Sequence, residues 1–156
     1  MNYAKQEILK VFIEEPVQAS FATVSKDGKP CVRYVMINID RKDMSMRFST
    51  FVNSPKVVQI ANQPEVSLTC CGTDPESSQK IYLQIKGKAS FSTEADERAL
   101  VWHSSTEKIF QNMDNPNFGV IKIAPYRIEV TLEGDKGYET LVWENLLETG
   151  CCCCNS

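Results

Sequence analysis

Apolar residues along this chain recur mostly at period two, with a few short stretches at helical period. Ala4, Ile8, Val11 and Phe12 share one face across residues 3–14, with Lys5, Glu7, Lys10 and Glu14 elsewhere. That spacing predicts a short amphipathic helix closed by Pro16. A hairpin follows, with a strand over 19–25, the Asp27-Gly28 turn signal, and a return strand over 30–40. A polar turn at 41–43 leads to a third strand over 44–50. Ser54 and Pro55 open a second helix, carried by Val57, Val58, Ile60 and Ala61 and stopped at Asn62-Gln63-Pro64. A strand over 65–71 and a loop over 72–78 come next. One long strand spans 81–93, with Gly87 as a bulge or close-approach point. Ser92 or Thr93 caps a third helix over 94–103, with Glu94, Asp96 and Glu97 in its first turn. Residues 104–117 read as irregular and polar, anchored by Ile109 and Phe110. A pair of strands broken at Pro125 fills 120–132.

Strands and helices do not alternate, which argues against a parallel α/β fold. The fold class is mainly β with flanking helices, a small closed or half-closed antiparallel barrel. The 156 residues make one domain, drawn here as 1–140, with 141–156 as a C-terminal segment ending in a cysteine-rich tail.

Composition narrows the partners. A net charge of −3 gives no nucleic-acid surface and no polybasic membrane contact. No apolar run reaches membrane-spanning length, and the N-terminus is too polar for a signal peptide, so a cytoplasmic location is expected. Seven cysteines fall at Cys31, Cys70-Cys71 and Cys151 to Cys154. Vicinal thiols do not readily share one tetrahedral metal, although alternate members of the run could, so the last four read as a disordered thiol-rich tail, with adventitious metal binding or oxidation as the alternative, and no metal site is assigned.

Two places carry candidate chemistry. At residues 48–56 a strand end, a polar turn and a helix start bring together Ser49, Thr50, Ser54 and Lys56. Unpaired helix-opening N–H groups, hydroxyls and an ammonium are the parts of a phosphate or carboxylate site. The alternative is that Ser54 merely caps a surface helix beside a solvated Lys56. The second place is Arg33, which alternation puts on one face with Val35, Ile37 and Ile39. An arginine on an apolar face needs an anionic partner, either a carboxylate from another strand or a ligand phosphate. His103, the single histidine, reads as a helix C-terminal dipole partner, with a proton donor or axial ligand as the alternatives.

The order of these motifs resembles the pyridoxamine 5′-phosphate oxidase-like flavin-binding split barrels, especially their short general-stress-protein branch. The resemblance rests on Arg33-Tyr34-Val35-Met36, on Phe48-Ser49-Thr50 with Ser54-Pro55-Lys56, and on Tyr82 to Gly87. It implies a split barrel and a homodimer with FMN at the interface. By that resemblance Arg33, Lys56 and Ser54 would bind the FMN phosphate. Tyr34, Val35, Met36, Ser49 and Thr50 would line the ring and ribityl chain, and Tyr82 would approach from a facing strand. Trp102 would be either a contact across the dimer or a core residue. True pyridoxamine phosphate oxidases have a lysine where this chain has Asn38 and an arginine where it has Pro55. Their C-terminal substrate region has no counterpart after Tyr126-Arg127-Ile128-Glu129. Those losses argue against vitamin B6 oxidation. The resemblance therefore implies an FMN-dependent oxidoreductase with a small-molecule electron donor and acceptor. A flavin-binding stress protein without turnover, and a deazaflavin- or haem-binding barrel, are the alternatives.

Overall fold

The structure, a computed structural model, describes residues 2–145. Its elements in chain order are α1 (Tyr3–Val11), β1 (Val17–Val24), β2 (Pro30–Ile39), β3 (Met46–Phe51), α2 (Pro55–Asn62) and β4 (Glu65–Thr73). They continue with β5 (Lys80–Ser92), α3 (Ala95–Leu100), α4 (Ser104–Phe110), β6 (Phe118–Gly134) and β7 (Gly137–Glu144). The cysteine run at 151–154 lies outside the described residues.

Every strand pairing is antiparallel, in the order β3-β2-β1-β4-β5-β6-β7, and β3 also pairs with β6. The sheet therefore closes on itself. Closure is divided along the length of β6. Its first half, Phe118 to Ile123, pairs with β3, and its second half, Arg127 to Gly134, pairs with β7. Pro125 sits between the two zones, where its missing N–H interrupts neither ladder. The expected break at Pro125 is thus absent, and β6 is one continuous strand. Opposite it, Gly87 occupies the register shift of β5. A Cβ there would lie 2.7 Å from the Ala124 carbonyl oxygen and 3.0 Å from Pro125 Cα, so only glycine fits the approach.

The barrel core holds Phe12, Phe21, Ile37, Met46, Phe48, Leu68, Ile85 and Ile128, all nearly inaccessible to solvent. α1 plugs one end. Asn2 Oδ1 caps it by accepting from the Ala4 and Lys5 amides, and Lys10 on its far side bonds Glu7 at 2.9 Å and Asp74 at 2.6 Å. A second, smaller cluster forms around Val101, Phe110, Phe118 and Val120, with Trp102 packed against it.

That cluster explains the largest departure from the expected elements. The helix expected over 94–103 ends at Leu100, and the stretch expected to be irregular contains α4. Val101 turns inward to the cluster, and Thr106 Oγ1 donates to its carbonyl at 2.8 Å. The helix gives way to this tertiary anchor. Helix α3 is itself tied to β3 by Arg47, whose Nε donates to Glu97 at 2.6 Å. β7, which the sequence reading did not identify as a strand, crosses residue 140 and covers the core with Leu141 and Trp143. Among the described residues no helix is long and apolar enough to cross a membrane.

Candidate functional site

β2 and β3 are neighbours in the barrel, yet their ladder holds only two pairs, Asn38 with Arg47 and Ile39 with Met46. Beyond them the strands part. The facing backbone edges at 34–36 and 49–50 are left without ladder partners, which is a demand for hydrogen bonds that a ligand can meet. The gap is a slot of about 250 Å³ lined by Tyr34, Val35, Met36, Ser49, Thr50, Phe51, Lys56, Ile109 and Phe110. Six of the nine expected cofactor contacts therefore meet in one place. Ser54 borders it, since its Oγ accepts from Lys56 Nζ at 2.6 Å. Ser54 occupies the cap position of α2 but its hydroxyl caps no backbone amide; its carbonyl accepts from the Val57 amide at 3.0 Å, and Pro55 has no N–H to offer.

Arg33 stands beside Lys56 and lies on the inward face with Val35 and Ile37, as alternation requires. Its partners are neutral. Nη1 donates to Thr23 Oγ1 at 2.7 Å and to the Phe21 carbonyl at 3.3 Å, and Nη2 donates to Gln59 Oε1 at 2.7 Å. The guanidinium also lies over the Phe21 ring, 5.7 Å from its centroid. Among the described residues no carboxylate oxygen comes within 4.0 Å of Arg33 or Lys56. Burial lowers the pKa of both groups, and the charge of Arg33 pushes Lys56 down further. Two half-buried cations without a counter-charge are an anion site in waiting.

Tyr82 is elsewhere. It lies on the outer face of the sheet, 40 % exposed, with its hydroxyl donating to Glu133 at 2.8 Å. A shallow concavity of about 650 Å³ covers that face, lined in part by Gln18, Ser20, Tyr34, Thr69, Cys71 and Tyr82. Tyr34 belongs to both hollows, and only the smaller one is lined by a cation, Lys56, with Arg33 beside it. Trp102 packs its ring 5.7 Å from that of Phe118. His103 starts α4 rather than ending a helix, and its ring nitrogens lie 3.3 and 3.4 Å from Thr106 Oγ1. The dipole role expected for it does not hold, because the chain breaks at Val101 before the histidine is reached.

The sequence reading missed Phe51, Thr23 and Gln59. Gln59 had a usable signal, being three residues after Lys56 and so on the same side of α2. Thr23 had none, because only the pairing of Thr23 with Cys31 brings it under Arg33.

The profile of the pyridoxamine 5′-phosphate oxidase family matches residues 5–132. This chain belongs to that family. General stress protein 26 of Bacillus subtilis is 32% identical over 132 residues, covering 85% of this chain and 91% of that protein. The crystal structure of general stress protein 26 from Bacillus anthracis superposes with a TM-score of 0.69 at 22% identity, over 90% of this chain and 98% of that one. The family fold extends to a haem-binding protein from Mycobacterium smegmatis (TM-score 0.64, 17% identity, 90% and 58% covered) and to an F420 reductase (0.55, 19%, 75% and 92%). At these identities the likeness to the solved structures is one of fold. Within the family fold, the gap between β2 and β3 is where this chain has both unsatisfied backbone and unpaired cations.

Proposed function

We propose that this protein binds FMN in the slot between β2 and β3 and works as a flavin-dependent oxidoreductase rather than a vitamin B6 oxidase. The observation that carries the reading is the Arg33 and Lys56 pair beside the opening of α2, two cations with no carboxylate partner among the described residues. Arg33, Lys56 and Ser54, with the Lys56 amide at the opening of α2, would hold the phosphate. The unladdered edges of Tyr34 to Met36 and of Ser49-Thr50 would hydrogen-bond the ring and ribityl chain. Phe51, Ile109 and Phe110 would supply apolar cover. The bound flavin would accept and release electrons between a small-molecule donor and acceptor, and the chain's part is to orient it and exclude water.

The slot's 250 Å³ falls below the roughly 300–1,000 Å³ typical of pockets that enclose a ligand. One chain thus provides one wall, and a second copy would complete the site as a homodimer. That arrangement would bring Tyr82 of one copy toward the slot of the other. A cytoplasmic setting belongs to the same proposal.

The likeness to a haem-binding protein and to an F420 reductase makes the first experiment a visible spectrum of the purified protein. An oxidised-flavin spectrum is expected, and a Soret band or a deazaflavin spectrum would overturn the cofactor assignment. Arg33→Ala and Lys56→Ala should each weaken FMN binding by about tenfold or more, with the melting temperature retained. Anaerobic bleaching by a reduced nicotinamide, followed by reoxidation, would separate an oxidoreductase from a flavin-binding stress protein without turnover.

A further inference from the structure

The structure assigns Gln59, with Thr23, as a positioning residue that holds Arg33 through neutral acceptors and leaves its charge for the flavin phosphate. The inference rests on the phosphate reading above. Three side chains close a hydrogen-bonded ring: Arg33 Nη1 donates to Thr23 Oγ1 at 2.7 Å, Arg33 Nη2 donates to Gln59 Oε1 at 2.7 Å, and Thr23 Oγ1 donates to the same Gln59 oxygen at 2.6 Å. The hydrogens fix each group's orientation. A threonine hydroxyl has one hydrogen, which goes to Gln59, so Thr23 meets the guanidinium with a lone pair. Gln59 Oε1 receives two donors, so the amide nitrogen faces away and donates to Cys31 Sγ at 3.6 Å.

Arg33 has five N–H donors. Thr23, Gln59 and the Phe21 carbonyl engage three of them, two on Nη1 and one on Nη2. The Nε–H and the second Nη2–H remain. They lie side by side along one edge of the guanidinium, in the fork that matches two phosphate oxygens. Thr23 is 2% exposed, so the base of this arrangement is fixed in the barrel wall. Gln59 rides on α2 with Lys56, so one helix sets both the second cation and the aim of the first.

The amide at position 59 matters because a carboxylate there would make the same contacts with the opposite consequence. It would pair with Arg33, neutralise it and repel the incoming phosphate. Glutamine orients the guanidinium and leaves it charged. Its effect is therefore confined to ligands that carry the phosphate, and discrimination between FMN and riboflavin is the property it controls.

Gln59→Glu and Gln59→Leu, titrated with FMN and with riboflavin by flavin fluorescence and checked by thermal melts, test this role. Gln59→Glu should lose about 30-fold or more in FMN affinity, while riboflavin affinity stays within about twofold and the melting temperature holds. Gln59→Leu, which loosens Arg33 without neutralising it, should lose about three- to tenfold for FMN alone. Equal losses for both flavins, or an unchanged ratio in Gln59→Glu, would overturn the role while leaving the phosphate reading intact. Wild-type protein that binds the two flavins equally would overturn the phosphate reading itself, and this role with it.

Discussion

Lys56 is held in a state that a bound anion would change. Burial and the charge of Arg33 both disfavour its protonated form, so its pKa in the free protein lies below the ordinary lysine value of 10.5. The sign of the consequence follows. In the free protein the charged lysine is a cost, relieved as pH climbs through the lowered pKa toward 10.5, so stability rises in that window. Phosphate binding needs the charged form, so affinity for FMN falls over the same window. Titrating FMN relative to riboflavin against pH cancels changes in the flavin ring itself. The ratio should decline with an alkaline midpoint below 10.5. Lys56→Arg keeps its charge through that range and should flatten the decline. A decline that survives Lys56→Arg would assign the titration to another group.

Much of the architecture can be read from local pattern, and the exceptions have identifiable causes. Alternation alone placed Arg33 on the inward face of β2 beside Val35 and Ile37, and Ser54-Pro55 marked the start of α2. Gly87 was legible as a close-approach point, although its partner at Pro125 was not, because that contact joins residues far apart in sequence. Gly87→Ala tests how tight the approach is. The added Cβ would meet the Ala124 carbonyl oxygen at 2.7 Å, with backbone on both sides that has no room to yield. Destabilisation of about 1–3 kcal/mol is expected by urea denaturation, and a neutral effect would show that the bulge relaxes. The split of the third helix was not legible, since it depends on Val101 reaching a cluster built from Phe110, Phe118 and Val120. β7 had a signal that went unread: Gly134 pairs with Gly137 across Asp135-Lys136, and Leu141 and Trp143 alternate beyond it. For the site, residue types and order were legible. The slot itself was not, because it exists only where the β2–β3 ladder stops after two pairs.

The assembled barrel has one broad face whose composition is unusual for a surface left to water. Val32, Tyr34 and Met36 on β2 are exposed, and the residues paired beside them are Ala22, Ser20 and Gln18 on β1, with Ser67 and Thr69 next to these on β4. These are small or uncharged side chains that let another surface approach closely, and Tyr34 links the face to the slot. If a second copy packs there, cofactor binding and association are one equilibrium, because the partner would supply the missing wall of the slot. Thr69→Glu probes this without disturbing the core, since Thr69 is exposed and its hydroxyl hydrogen-bonds Ser20 Oγ at 3.0 Å. A carboxylate placed there would be buried unpaired in the dimer and solvated in the monomer. The variant should sediment as a monomer with an unchanged circular dichroism spectrum and should lose FMN in the same step, and raising the protein concentration should restore both together. A monomer that keeps wild-type FMN affinity would mean that one chain holds the flavin alone. A variant that remains dimeric would move the interface to another face.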